Sequence, residues 1–160
     1  ITLDTKNFAV KTGVRTFEAA AYLRKRGANT LTVKGMFSDN IETYREKVDI
    51  VCKAHVYRGC AISIAPSGDG DIRLASAQAA DEMLNLKGVD ASFVLFEDNS
   101  QINLSARSYG NVNVQIIMEK LGGGGHQTMA ATQLKNTTKE LAYQQLLSEI
   151  DNTLDDEENS

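Results

Sequence analysis

The chain has 160 residues, 42% of them hydrophobic and 24% charged, with a single proline. That is enough for one hydrophobic core with part of a neighbour, too short for two full domains, and outside the disordered and fibrous classes. Of 21 acidic residues, Asp151, Asp155, Asp156, Glu157 and Glu158 sit together near the C-terminus, leaving 16 acids against 17 bases elsewhere, so the body of the protein is nearly neutral: no broad basic surface for extended duplex nucleic acid, but room for a local phosphate site.

Ile1 to Leu3 reads as the end of a strand that starts in mid-run without a Met, which is expected of a piece cut from a longer protein. Thr16 precedes a helical stretch from Phe17 to Arg26 that Gly27 closes, glycine being a favoured residue just past a helix end. Asp39 and Glu42 form a capping box for a second helix, where Ile41, Tyr44, Val48, Val51 and Cys52 keep the spacing of one buried face. That helix is expected to link two domains, residues 1–37 and 59–150, across 38–58, with His55 on its face as a packed or exposed histidine.

From Gly59 short apolar runs alternate with helices. Cys60 to Ala65 is a strand, Pro66 to Gly70 a turn-rich loop, Ala75 to Lys87 a helix stopped by Gly88, and Ala91 to Phe96 a continuous apolar run expected of a strand buried on both faces. Asp98-Asn99-Ser100 turns the chain. Gln101 to Arg107 then alternates, with Ile102, Leu104 and Ala106 on one face and Asn103, Ser105 and Arg107 on the other. Asn111 and Asn113 stand where they would cap a helix with Val114, Ile117, Met118 and Leu121 on one side, ended by Gly122. Ala130 to Leu134 makes a last strand, and Thr137 with Glu140 opens a helix packing through Ala142, Leu146 and Ile150. Residues 151–160 are expected to be a disordered acidic tail. The order gives an α/β domain, a mixed β-sheet flanked by helices.

Cys52 and Cys60 form no Cys-x-x-Cys pair, and with two histidines in the chain neither a zinc site nor a disulfide framework is suggested. No apolar run approaches the roughly 20 residues of a membrane helix.

The chemistry concentrates at Gly122, Gly123, Gly124, Gly125 and His126. Each glycine costs about 0.5–1 kcal/mol relative to alanine in a regular element, so four in a row imply a need for bare backbone. Successive N–H groups can converge on an anion, and a phosphate can approach closer than any Cβ would allow. His126 can add a hydrogen bond or, when protonated, a charge. No Lys-Ser or Lys-Thr follows the glycines and they follow a helix rather than a strand, so neither a P-loop nor a dinucleotide fingerprint fits.

Leu121 to Ala131, with Ser105-Ala106-Arg107-Ser108 before it, resembles the C-terminal DHH-associated domain of the DHH phosphoesterases, and closely the GdpP-type cyclic di-AMP phosphodiesterases. Leu3 to Phe8, Thr16 to Ala20 and Leu23 are similar to the last segment of the catalytic DHH domain. The chain departs from many relatives in having Ala130-Ala131-Thr132 where they have Ala-Ala-Gly.

The resemblance implies a two-manganese (Mn2+) phosphodiesterase that turns cyclic di-AMP into linear pApA, with Asp4 as one metal ligand. The glycine segment and His126 would hold substrate phosphate and Arg107 would hold it from the neighbouring strand, with Ser105, Ser108 and Asn103 as weaker candidates. The Asp-His-His triplet of the family does not occur in the chain, so the fragment is expected to bind but not cleave. The intact protein is expected to be bacterial and membrane-anchored with this part in the cytoplasm, and a homodimer stays open. Three other readings remain: a nucleotide- or RNA-binding module without catalysis, an oligoribonuclease of the same family, and an oligomerisation domain with an incidental glycine loop. Arg107 also has a structural alternative, an ion pair with a carboxylate, and Tyr109 is a candidate for stacking on a base.

Overall fold

The computed structural model describes residues 1–66 and 71–158, which divide into a small unit, Ile1–Asp39, and a larger one, Asn40–Ser160. The small unit opens with turns, where Lys6, Asn7 and Phe8 take positive φ, followed by α1 (Val14–Lys25) and α2 (Thr30–Gly35). Thr5 is its one buried residue; the Thr5 hydroxyl donates to the Ile1 carbonyl at 3.0 Å and accepts from Phe8 N–H at 2.9 Å. The strand expected at Ile1–Leu3 is therefore a turn. Thr16 sits inside α1, where its hydroxyl accepts from Gly13 N–H at 3.3 Å. Neither helix buries a residue, and Leu3, Val14, Phe17, Leu31 and Met36 are all more than half exposed.

The larger unit is built on six strands: β1 (His55–Tyr57), β2 (Cys60–Ile64), β3 (Ala91–Asp98), β4 (Gln101–Ser108), β5 (Gly124–His126) and β6 (Met129–Leu134). They lie in the order β1-β2-β3-β4-β6-β5, with β2 and β3 parallel and every other neighbour antiparallel. A parallel pair needs a crossover, and α4 (Ile72–Met83) supplies it. The β3–β4 turn has Asn99 at φ 50° and Ser100 at φ 60°, the positive pair that suits the twist of a two-residue hairpin.

Alternation along the strands divides the core in two. Phe93, Leu95, Leu104, Ala106 and Ala130 face α5 (Val114–Lys120) and α6 (Lys139–Glu158), meeting Ile117, Met118, Leu146 and Ile150. Ala61, Val94 and Phe96 face α3 (Ile41–Cys52) and α4, meeting Ile50, Ala75, Ala79 and Met83. This is the α/β mixed sheet flanked by helices that the pattern predicts.

Several details differ from expectation. α3 is packed into the larger unit: Ile50 is fully buried, and its carbonyl accepts from the Ser63 hydroxyl at 2.6 Å. His55 lies on β1, and the crossover helix begins at Ile72, capped by Asp71 accepting from Leu74 N–H at 3.1 Å. Two other caps shift by one residue, to Asn40 and Thr138. The acidic stretch taken for a disordered tail continues α6 through Glu158. Tyr57 donates to both carboxylate oxygens of Asp151, at 2.9 and 3.1 Å, and Arg58 pairs with Asp151 at 3.1 Å and Asp155 at 2.7 Å. Leu154 packs on the core and Thr153 is buried, so Asp151 and Asp155 sit on a helix that also packs into the core. The loop expected over Pro66 to Gly70 falls, beyond Pro66, outside the described residues. No helix among those described is long and apolar enough to cross a membrane.

Candidate functional site

Both faces of β4 are buried, but those of its neighbour β6 are not. Ala130 and Thr132 are buried on the α5 and α6 side, whereas Met129, Ala131 and Gln133 on the other face are exposed. α4 covers β3 and reaches β4, so the sheet opens to solvent as it passes from β4 to β6 and β5. Register places the residues of this open half-face in rows. Arg107, Met129 and His126 form one; Ser105, Ala131 and Gly124 the next; Asn103 and Gln133 the third. Successive rows lie two residues apart, about 7 Å. The middle row carries the smallest side chains of the three, so it forms a floor between two polar rows.

The four glycines have different reasons to be glycine. Gly122 takes φ +79° just past α5; its N–H bonds to Glu119 O at 2.9 Å and that of Gly123 to Met118 O at 2.8 Å, the paired bonds of a Schellman helix end. Those two amides are thereby occupied and unavailable to a phosphate, a correction to the expectation that all four line the anion site. A Cβ on Gly123 would press into the Ala131 carbonyl and stand 2.7 Å from Thr132 Cα, and one on Gly125, at φ +149°, would stand 2.7 Å from Ala130 Cβ. These two let β5 close against β6. Gly124 has no positive φ, and a Cβ there would meet nothing within 4 Å. The fold does not require glycine at that position.

Ser108 faces away from Arg107, contrary to its expected place beside it. It is 1% exposed, its hydroxyl donates to Gln127 O at 3.1 Å and accepts from Gly110 N–H at 3.2 Å, and its own N–H bonds to Thr128 O at 3.0 Å. Val114 N–H also donates to Gln127 O and the Gln127 amide donates to Gly110 O. Ser108 therefore holds the tip of the β5–β6 hairpin, fixing where His126 emerges.

Arg107 is nearly buried; its Nε donates to Asp81 at 3.4 Å and one terminal nitrogen to Ala106 O at 2.9 Å. The ion pair is long and Asp81 is 43% exposed in its side chain, while the other terminal nitrogen makes no hydrogen bond among the described residues. Arg107 is thus paired with a carboxylate, the structural alternative for it, and keeps donor capacity among the described residues. Asn103 donates to Gln101 O at 3.1 Å. The Ser105 hydroxyl and the exposed His126 ring make no hydrogen bond among the described residues. Tyr109 donates to Asn85 at 3.3 Å.

Asp4 lies in the small unit with its side chain 83% exposed. Among the described residues no three His, Cys, Asp or Glu side chains come together as metal ligands, so these residues do not by themselves fit a two-metal centre. Met129, Ala131 and Gln133 complete the open face and are absent from the residues expected there; their signal in the sequence is the alternation from Met129 to Leu134, which leaves every second residue exposed.

The DHHA1 domain model matches residues 58–156. Over 94% of its length the chain is 47% identical to the cyclic-di-AMP phosphodiesterase PdeA of Listeria monocytogenes and 41% identical to the cyclic-di-AMP phosphodiesterase GdpP of Bacillus subtilis. It spans about a quarter of these relatives, 23% and 24% of their lengths. An exopolyphosphatase-related protein from Bacteroides fragilis shares the fold, with a TM-score of 0.79 and 17% identity over 97% of this chain and 47% of that one.

Proposed function

The chain belongs to the DHHA1 domain family, and from that premise we propose that it is the substrate-binding part of a phosphodiesterase that hydrolyses cyclic di-AMP to linear pApA. The nucleotide phosphate sits on the open face between Arg107 and His126, against Gly124. The observation that carries this is Gly124. The other three glycines are explained by a helix end and a close strand pair, whereas a Cβ at Gly124 would meet nothing within 4 Å among the described residues. A ligand that must approach the backbone gives this glycine a reason.

Charge supports the same place. The Arg107 side chain belongs to this face, one of its terminal nitrogens makes no hydrogen bond among the described residues, and a charged donor to an anionic oxygen is stronger than a neutral one. Ser105 adds a hydroxyl from the floor. Relatives named cyclic-di-AMP phosphodiesterases at 41–47% identity favour a cyclic dinucleotide over other phosphate esters.

Catalysis belongs to the intact protein. Two manganese ions would supply a deprotonated water and neutralise phosphoryl charge; Asp4 is this chain's single contribution, and the remaining ligands come from elsewhere in the DHH domain. Residues 1–37 are the end of that domain, which accounts for a unit whose helices bury none of their apolar side chains. The intact protein is membrane-anchored with this part in the cytoplasm, and this chain alone binds without cleaving.

Calorimetric titration of the chain with pApA and cyclic di-AMP tests the proposal. Micromolar to millimolar binding is expected, about 4–8 kcal/mol, weakened in both Arg107→Ala and His126→Ala. A folded parent that binds neither ligand refutes it.

A further inference from the structure

The third row of the open face lies beyond the floor from Arg107 and His126. Asn103 on β4 and Gln133 on β6 are direct register partners with their side chains on the same face as Arg107 and His126. Asn103 is 5% exposed and uses one amide hydrogen on Gln101 O, leaving its carbonyl oxygen without a hydrogen bond among the described residues. Gln133 is exposed, and its side chain makes no hydrogen bond among the described residues. Two carboxamides thus stand side by side with donor and acceptor capacity to spare.

Their distance from the phosphate site is set by the strand. Arg107 and Asn103 are four residues apart on β4, as are Met129 and Gln133 on β6, so the rows are separated by about 13 Å. With the phosphate displaced from the Arg107 row toward Gly124, what remains matches one nucleoside, sugar and base. Between the rows lie Ser105, Ala131 and Gly124, over which a flat ring can pass without meeting a long side chain.

We infer that Asn103 and Gln133 recognise the edge of the base attached to the bound phosphate and select adenine; this rests on the phosphate reading above. The chemistry decides the base. Adenine offers an exocyclic amine that donates beside a ring nitrogen that accepts, a pattern a carboxamide completes with its oxygen and its NH2. Guanine offers two acceptors, which suit the paired donors of arginine or lysine. The row presents carboxamides and no cation.

The test titrates the chain with pApA, pGpG and ribose 5-phosphate, followed by amide chemical shifts so that millimolar binding is read. The parent is expected to prefer pApA to pGpG by about tenfold or more, and Gln133→Ala, at an exposed position that should not disturb folding, to lose that preference while binding ribose 5-phosphate as the parent does. Asn103→Asp, which replaces the NH2 by an acceptor, should lose it too. A parent that binds pApA and pGpG equally, or a Gln133→Ala variant that keeps the preference, overturns base recognition and leaves the phosphate site standing. A parent that binds none of the three ligands removes the phosphate site and this inference with it.

Discussion

Replacing Gly124 and Gly123 by alanine, one at a time, separates binding from folding within a single loop. At Gly124 the new Cβ meets nothing within 4 Å and the backbone has no positive φ. The fold should tolerate it, and the lower entropy of the unfolded chain should stabilise by about 0.4–1 kcal/mol, a rise in Tm of about 1–4 °C for a domain of this size. At Gly123 the Cβ lands against the Ala131 carbonyl and the Thr132 backbone. β5 would have to move off β6, and overpacking of this kind costs about 1–3 kcal/mol. Binding should follow a different order. The methyl at Gly124 projects onto the floor where the phosphate rests and should weaken pApA binding at least tenfold, about 1.4 kcal/mol, in a protein at least as stable as the parent. Thermal unfolding by circular dichroism and calorimetric titration measure the two quantities. A Gly124→Ala protein that keeps both its Tm and its pApA affinity would show that no ligand needs this glycine, and the reasoning would fail.

Ser108→Ala removes one hydroxyl that bonds both Gln127 O and Gly110 N–H; a loss of about 1–3 kcal/mol is expected, and an unchanged Tm would refute its role in holding the hairpin. Tyr57 is held above its ordinary pKa of 10.0, first by its hydrogen bond to Asp151, then by burial and by the Asp151 charge. A raised folded value means that the phenol's contribution to docking α6 is present below pH 10 and is lost as pH rises through the folded pKa. The tyrosinate absorbance difference between parent and Tyr57→Phe should therefore titrate above 10.0, and a midpoint at or below that value contradicts the contact. With manganese added, the purified chain should hydrolyse no cyclic di-AMP; turnover that Asp4→Ala abolishes would mean that a working metal centre forms within it.

Much of the architecture is legible because it is local. The alternation from Gln101 to Arg107 assigns both faces of β4, and Gly122 marks a real stop, taking a positive φ just past α5, whereas α4 ends at Met83, before the expected stop at Gly88. What escapes local reading depends on partners distant in sequence. Gly124-Gly125-His126 has no strand propensity and becomes β5 only because Gly123 and Gly125 lack the Cβ atoms that would hold it off β6. The acidic C-terminal run looks like a tail until Tyr57 and Arg58, over ninety residues away, engage Asp151. Conversely, Ile1–Leu3 has strand composition and belongs to a run of turns. At the site, the glycine segment, Arg107 and His126 are legible by type and spacing. Ser108 is misread because adjacent strand residues point to opposite faces, and Gln133 is missed because an exposed glutamine acquires meaning only from the row it occupies.

The most direct test of a phosphate site on the open half-face is to map pApA onto the chain by amide chemical-shift perturbation. Saturable shifts are expected at Gly124, Gly125 and His126 and at the Arg107 side chain, with the α5 and α6 face of the sheet unmoved. Saturable shifts confined to that opposite face, or none in a folded protein at millimolar pApA, would contradict the account.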